Sequence, residues 1–268
     1  MPYTALISNL RALPQETLTS DQREALLSLL DYLEAPSPYA LYLLTGYAGT
    51  GKTYLLRSIT EAATRAGLHV ELMASTGRAA KVLTGATGRQ ASTIHRTIYR
   101  ASTQLQEEGG SFQLGRVSAG RPTLFIVDEA SMISGDTGEV TPFGSGNLLD
   151  DLLAYVWSAD ESKLILVGDT AQLPPVGTPL SDALNPEVLT SRYGLEVYGT
   201  ELREVVRQKK GGILHNATQL RQLLEDSADL DPEELLPIHL ETEGWRGIFA
   251  VEPGEFINTI DEAYRRYG

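Results

Sequence analysis

The chain has 268 residues, of which 42% are hydrophobic and 21% are charged, as is ordinary for a soluble globular protein with one large core. It has no cysteine, which excludes disulfides and thiolate metal sites, and its four scattered histidines make zinc unexpected. The formal charge of −13 argues against a broad basic face for nucleic acid, although a narrow groove for one strand stays compatible with it. Because no apolar run is long enough to span a bilayer and no signal-peptide pattern is present, we expect a cytoplasmic protein without a membrane partner.

Helices and strands are predicted to alternate along the chain. The first helix, TSDQREALLSLLDYL, has leucines at helical spacing and can be capped by Thr19 or Ser20. KTYLLRSITEAATRAG predicts a helix that ends at Gly67, and NLLDDLLAYVW predicts another. This order indicates an α/β fold with a mostly parallel sheet covered on both faces, whose ligands bind at the carboxyl ends of the strands. The predicted strands are ALYLLT (40–45), LHVELMAS, TLFIV (123–127) and KLILV (163–167).

Three segments interrupt this alternation. Residues 102–121 contain Gly109-Gly110 between polar–apolar stretches, which predicts a projecting β-hairpin. Residues 134–147 are typical of a flexible surface loop. Residues 227–268 are expected to form an acidic linker followed by a C-terminal helix.

The stretch GYAGTGKT (46–53) fits the phosphate-binding pattern G-x-x-x-x-G-K-[ST]. Its glycines permit a tight turn whose backbone N–H groups face phosphate oxygens, and the following helix adds its positive dipole end. Lys52 would reach the terminal phosphates of ATP, and the Thr53 hydroxyl would bind Mg²⁺. The predicted nucleotide-binding residues of this loop are Gly46, Ala48, Gly49, Thr50, Gly51, Lys52, Thr53 and Tyr54.

Two further strand ends carry polar residues. LFIVDEAS (124–131) places Asp128 and Glu129 beside the phosphate loop, where Asp128 would hold Mg²⁺ and Glu129 would orient or deprotonate the attacking water. Such a pair, taken alone, is equally typical of a helix cap or a solvated site. LILVGDTAQLPPVG (164–177) places Gln172 where it can sense the γ-phosphate, although a proline-stiffened turn explains this stretch as well.

The order of the motifs resembles that of RecD-like DNA helicases, the 5′-to-3′ branch of helicase superfamily 1. The resemblance covers residues 17–226 and implies the first RecA-like, P-loop NTPase motor domain of an ATP-dependent DNA helicase. The motifs are GYAGTGKT, ASTGRAAKVL (74–83), STIHRTIY (92–99), IVDEASM (126–132), VGDTAQLPPV (167–176) and LREVVRQ (202–208).

The resemblance implies further roles for individual residues. Gln22 would contact the adenine ring, although Thr19 and Gln22 also make a plausible capping box. Gln172 would couple the γ-phosphate to DNA. Arg207 would stabilise charge on the γ-phosphate. The alternative interpretation is that Arg207 is a surface cation without this role.

The implied DNA contacts are made through hydroxyls and backbone N–H groups, which need no basic surface. For His95, the alternative to DNA contact is a structural role as a histidine of the core. The segment 102–121 falls where the family carries the pin that splits the duplex, with Phe112 as its one aromatic wedge. The implied DNA-binding residues are Thr76, Thr93, His95, Pro174 and Pro175.

The family continues into a second motor domain, whose two motifs we do not find in this sequence. We therefore expect a monomeric fragment that binds ATP–Mg²⁺ and single-stranded DNA weakly, hydrolyses ATP slowly or not at all, and does not unwind DNA. The alternatives are a stand-alone P-loop ATPase acting on protein partners, a small-molecule kinase and an architectural DNA-binding module. The absence of N-K-x-D argues against a GTPase, and no arginine-rich lid supports a kinase.

Overall fold

The computed structural model describes residues 2–101, 112–117, 121–133, 135, 142–172, 181–206, 216 and 219, and the structural statements below concern these residues. The chain divides after Val206, and all elements named here belong to the unit Met1–Val206. The predicted linker and helix at 227–268 lie outside the described residues.

Eight strands are present in the described part of the chain, and six of them form one sheet in the order β3-β2-β6-β7-β1-β8. Every neighbouring pair in this sheet is parallel, as the alternation of elements predicts. The remaining two strands, β4 and β5, pair antiparallel. The bounds are β1 Ala40–Gly46, β2 His69–Ala74, β3 Ala91–Thr93, β4 Tyr99–Ala101, β5 Phe112–Leu114, β6 Thr123–Asp128, β7 Lys163–Gly168 and β8 Glu196–Leu202.

The helices begin and end where their sequences supply caps. The helix α2 has a complete capping box, in which Thr19 Oγ1 accepts from Gln22 N and Gln22 Oε1 accepts from Thr19 N. The helix α3 ends before Gly67, whose φ of 73° is the left-handed conformation that a glycine adopts without strain. The bounds are α1 Thr4–Arg11, α2 Ser20–Glu34, α3 Lys52–Arg65, α4 Gly77–Thr87, α5 Ile94–Ile98, α6 Leu148–Val156 and α7 Pro186–Ser191.

Alternate residues of the buried strands face two separate cores. On β1, Tyr42 and Leu44 pack with the helices α1, α2 and α3, whereas Leu41 and Leu43 pack with α5, α6 and α7. This alternation follows from the two-residue period of a strand. The two-sided cover that the sequence predicts is confirmed, and it leaves the strand ends as the exposed edges of the sheet.

The structure changes the prediction for the two insertions. The antiparallel pair already begins at Tyr99, and residues 102–111 and 118–120 lie outside the described residues. The last part of the predicted loop at 134–147 is a surface turn that is held to β5 by backbone hydrogen bonds. Phe112 N donates to Pro142 O at 2.8 Å, and Gly144 N donates to Phe112 O at 2.9 Å. The Phe112 and Phe143 rings stack at 4.7 Å because these backbone bonds align them. No helix among the described residues has the length and apolar character that crossing a bilayer requires.

Candidate active site

The predicted motifs meet at one edge of the sheet. The strands β1, β6 and β7 end at Gly46, Asp128 and Gly168, and because the strands are parallel these ends lie at the same edge. The strand β2 also ends there, directly before Ser75 and Thr76. The fold therefore brings the phosphate loop, the acid pair and the glutamine loop together, as ligand sites of such sheets require.

The phosphate loop is held in shape by its glycines and by a buried threonine. Gly49 and Gly51 have φ values of 86° and 95°, which other residues adopt only with strain. Thr50 is 1% exposed, and its hydroxyl donates to Tyr47 O at 2.8 Å. At the outer side of the loop, Val206 N donates to Gly49 O at 2.9 Å. The turn is thus fixed at the N-terminus of α3, where the helix dipole favours an anion.

Lys52 lies inside this turn and near three carboxylates. Its Nζ donates to Gly46 O at 2.5 Å and to Tyr47 O at 3.0 Å. Burial lowers the pKa of Lys52, and Asp169, Glu129 and Asp128 oppose that shift in that order. The ammonium is therefore partly desolvated, which strengthens its attraction for a phosphate group.

Asp128 is the carboxylate that best suits a metal ion. Burial raises its pKa to about 6, and the hydrogen bond from Glu129 N, at 3.0 Å to Oδ1, opposes the rise. A buried carboxylate is relieved by a neighbouring cation, and Mg²⁺ prefers oxygen ligands with several retained waters. Thr53, exposed in the first turn of α3, offers a hydroxyl as the second protein ligand. The described residues contain no cluster of three or more metal-binding His, Cys, Asp or Glu side chains.

Glu129 has an unusual backbone conformation. Its φ of 56° and ψ of 42° lie in the left-handed region, which costs a non-glycine residue about 1 kcal/mol or more. The Ser75 hydroxyl donates to the carbonyl oxygen of Glu129 and so helps to fix this conformation. Ser75 precedes Thr76, a predicted DNA contact. One hydrogen bond therefore connects the predicted DNA-binding segment to the predicted catalytic base.

The glutamine loop is tied to the same place. Ser131 Oγ donates to Gln172 Oε1 at 2.9 Å, so the segment after Glu129 contacts the proposed sensor directly. Asp169 is 5% exposed, accepts from Ala171 N at 2.9 Å and is the carboxylate with the largest influence on Lys52. The sequence prediction omitted Asp169, although an acid directly after a buried strand was the signal used for Asp128.

A cavity of about 510 Å³ joins the predicted catalytic residues to the predicted DNA-contact segment. The acids at the end of β6 and the glutamine form one wall, and the beginning of α4 forms the other. The cavity is lined by Thr76, Arg78, Ala79, Val82, Asp128, Glu129, Met132 and Gln172.

Gln22 makes the capping contacts that the sequence also permits, and it does more. It is 4% exposed, and its Nε2 donates to Thr50 O at 3.1 Å. A Cβ on Gly51 would collide with this amide nitrogen. The oxygen of the amide thus caps α2, and its nitrogen holds the start of α2 against the phosphate loop. The adenine contact stays a prediction and requires the amide to leave Thr50.

The predicted DNA-contact threonines cap helices. Thr76 Oγ1 accepts from Ala79 N at 3.1 Å, and Thr93 Oγ1 accepts from Arg96 N at 3.2 Å. These bonds leave both hydroxyl protons available to a phosphate oxygen. DNA contact by either residue stays a prediction.

His95 is partly buried against aromatic rings rather than enclosed in the core. Its ring lies 5.6 Å from that of Tyr99 and 5.1 Å from that of Phe143, and burial lowers its pKa. Arg207, Pro174 and Pro175 lie outside the described residues. Val206, which directly precedes Arg207, is bonded to the phosphate loop.

The chain is similar in sequence to known proteins. A family model described as an AAA domain matches residues 17–231. The chain is 36% identical over 190 residues to the ATP-dependent RecD2 DNA helicase of Deinococcus radiodurans, covering 70% of this chain and 23% of that protein. It is 31% identical over 182 residues to the ATP-dependent DNA helicase dda of Enterobacteria phage T4, covering 66% of this chain and 37% of that protein. The chain therefore spans well under half the length of either relative.

A crystal structure of a Pif1 helicase from Bacteroides in complex with ADP-AlF3 and ssDNA has 18% identity and a TM-score of 0.46, covering 94% of this chain and 58% of that one. That score is too low to carry an argument. The two curated helicases bear out the resemblance to RecD-like helicases that the ordered motifs predict.

Proposed function

The chain belongs to this AAA domain family, and on that premise we propose that it is the ATP-binding first motor domain of a DNA helicase. The observation that carries the proposal is the shared cavity. A single space of about 510 Å³ is lined by Thr76 and Arg78 on one side and by Asp128, Glu129 and Gln172 on the other. An ATPase that is driven by DNA needs its DNA contacts to lie near its hydrolytic residues, because binding of the DNA strand must alter those residues.

Each side chain at the sheet edge has a role in ATP hydrolysis. The backbone N–H groups of the phosphate loop and the Lys52 ammonium would bind the phosphates. Mg²⁺, held by Asp128 and Thr53, would neutralise charge that develops between the β- and γ-phosphates. Glu129 would accept a proton from the attacking water or orient it. Gln172 would report the γ-phosphate to the segment around Ser131.

Ser75 gives a physical route from DNA to hydrolysis. A phosphate bound at Thr76 would reposition the adjacent Ser75, and with it the carbonyl of Glu129. Because Glu129 occupies a costly backbone region, small changes in its support alter the population of the productive conformation. We therefore expect single-stranded DNA to stimulate hydrolysis.

Arg207 is proposed to complete the charge around the γ-phosphate. The support for this role is the position of its neighbour, since Val206 N is bonded to Gly49 O. Asp21 adds a second anchor, because its Oδ2 accepts from Arg203 N at 2.7 Å and from Glu204 N at 2.8 Å.

The finer parts of the proposal follow from the family resemblance. They are translocation in the 5′-to-3′ direction, a monomer in the cytoplasm, Gln22 as an adenine contact and Pro174-Pro175 as DNA contacts. For the 268-residue chain by itself we propose weak binding of ATP–Mg²⁺ and single-stranded DNA, and slow hydrolysis without unwinding. The reason is that a second motor domain supplies the other wall of the nucleotide pocket in this family.

The test is single-turnover hydrolysis of labelled ATP by excess chain, with and without single-stranded DNA. We expect slow turnover that DNA accelerates, and no turnover by Lys52→Ala. Acceleration by a protein partner but not by DNA would contradict the helicase proposal and support a stand-alone ATPase. Brisk unwinding by the chain alone would contradict the need for a second domain.

A further inference from the structure

A second polar cavity lies at the opposite edge of the sheet. It has a volume of about 520 Å³ and is formed at the starts of β2 and β6, beside α6 and the β4–β5 pair. The catalytic residues follow the ends of the same two strands. The cavity is lined by His69, Glu71, Arg100, Val117, Arg121, Thr123, Phe125 and Tyr155.

The two arginines give this cavity a positive rim. Arg100 is positioned by carbonyl groups, because its Nη1 donates to Thr97 O and Tyr99 O at 2.8 Å and to Arg96 O at 3.3 Å. No described carboxylate lies within ion-pair distance of Arg100 or Arg121, whereas Arg57 is paired with Glu61 at 2.8 Å. The rim acid, Glu71, lies 3.4 Å from His69. Both guanidinium groups thus retain capacity for an external anion.

The sequence around the cavity has the opposite charge balance to the rest of the chain. Residues 89–121 contain two glutamates and five arginines, in a chain with a formal charge of −13. Positive charge concentrated within an acidic protein is the electrostatic signature of a local polyanion contact. The five arginines are Arg89, Arg96, Arg100, Arg116 and Arg121.

From these observations we propose that this cavity, which we call the Arg100–Arg121 pocket, binds backbone phosphates of a nucleic-acid strand. The choice of nucleic acid rests on the proposed function. The pocket also suits phosphate better than an acidic peptide, because its large apolar side chains are buried. Phe125 is 1% exposed and Tyr155 is 6% exposed, so they offer little apolar surface to a peptide.

Strand geometry separates the pocket from the ATP site. The strand β6 has six residues, Thr123–Asp128, which at about 3.3 Å each span roughly 20 Å. One mononucleotide cannot reach both edges, so the pocket is not a part of the ATP site.

The β4–β5 pair that carries Arg100 also carries Phe112, stacked on Phe143, on its other face. A nucleic-acid strand that lies along the β4–β5 pair would contact arginines on one face of the pair and an aromatic ring on the other.

The test compares two double variants with the same change of net charge. Arg100→Gln with Arg121→Gln removes the rim of the pocket, and Arg11→Gln with Arg65→Gln removes exposed arginines of α1 and α3. Fluorescence anisotropy at low salt would measure binding of a labelled single strand and a labelled tailed duplex. For the pocket variant we expect affinity for at least one DNA to fall about tenfold and the slope of log K against log salt to shrink by about 2. The control should keep both quantities.

Arg121→Gln alone guards against misfolding, because Arg100 also binds three backbone carbonyls. It should lower the salt slope by about 1 with unchanged binding of a fluorescent ATP analogue. Equal slopes for both double variants would overturn the pocket but leave the helicase proposal intact. No DNA binding by the unaltered chain at low salt would overturn both. Tighter binding of polyglutamate than of DNA at matched salt, lost in the pocket variant, would assign the pocket to acidic peptides and overturn the nucleic-acid assignment.

Discussion

Asp128→Asn should stabilise the ligand-free protein while removing its proposed metal ligand. Burial raises the pKa of Asp128 from 3.8 to about 6. A raised carboxyl pKa means that the folded state binds the proton more tightly, so its contribution is favourable at low pH and is lost as the pH rises through about 6. Two pKa units correspond to about 3 kcal/mol of destabilisation at neutral pH. Asparagine keeps the Oδ1 acceptor for Glu129 N and cannot ionise.

Urea unfolding at about pH 7.5 should therefore give the variant a free energy of unfolding about 1–3 kcal/mol higher than that of the unaltered protein. The lower bound allows for the lost attraction between Asp128 and Lys52. At about pH 3, below both pKa values, the difference should shrink towards zero, because Asp128 is then largely protonated in the folded and in the unfolded state. Asp160→Asn, an exposed site, is the matched control and should change stability by less than about 0.5 kcal/mol.

Added ATP–Mg²⁺ should reverse the order at neutral pH, because the ligand stabilises only a protein that can hold the metal. Destabilisation by Asp128→Asn, or a gain that does not depend on pH, would show that burial does not control this carboxyl.

Two further substitutions test how the phosphate loop and Glu129, the proposed catalytic base, are held. Gly51 has a φ of 95°, and the Cβ of Gly51→Ala would collide with the Gln22 amide. Urea unfolding should therefore give this variant a free energy of unfolding about 2–4 kcal/mol lower than that of the unaltered protein. Gly67 has a φ of 73°, and no atom lies within 4 Å of the Cβ that Gly67→Ala would add, so its free energy of unfolding should fall by only about 1–2 kcal/mol. Equal decreases for the two variants would contradict the collision at Gly51. Ser75→Ala removes the hydrogen bond to Glu129 O, worth about 1 kcal/mol, and should slow single-turnover hydrolysis about fivefold without changing ATP affinity. Ser75→Thr should restore the rate, and a loss of ATP affinity instead would contradict a positioning role.

The elements that could be predicted from the sequence are those whose signal is local. The strand ALYLLT and the helix after Thr19 follow from residue period and capping chemistry, and both are found within a residue of the expected bounds. The phosphate loop was predictable for the same reason, since its glycines and Lys52 lie within eight consecutive residues. Local sequence is sufficient wherever residue period, capping residues or a compact motif within one segment identify the element.

Elements that depend on distant partners were missed. The edge strand β8, EVYGTEL, has a central glycine and an alternating pattern with acids, and it was not predicted. It pairs with β1 over seven residues, and Gly199 allows the close approach, because a Cβ there would lie 2.6 Å from Leu43 O. Phe143 was assigned to a loop for a similar reason, since its partner Phe112 is distant in sequence. Long-range pairing leaves little trace in local composition.

The two edges of the sheet constrain how a DNA strand can act on hydrolysis. The strand β2 begins beside the Arg100–Arg121 pocket and ends before Ser75, and β6 begins at the same pocket and ends at Asp128. Both strands lie in the interior of the sheet order and hydrogen-bond to neighbours on each side, so they cannot slide to transmit a small displacement. A phosphate in the pocket would therefore add affinity without changing the catalytic residues directly. Rate control is left to contacts at the other edge, where Ser75 reaches Glu129. Pocket variants should consequently act on DNA affinity, and Ser75 variants on the hydrolytic step, which separates binding from coupling within one domain.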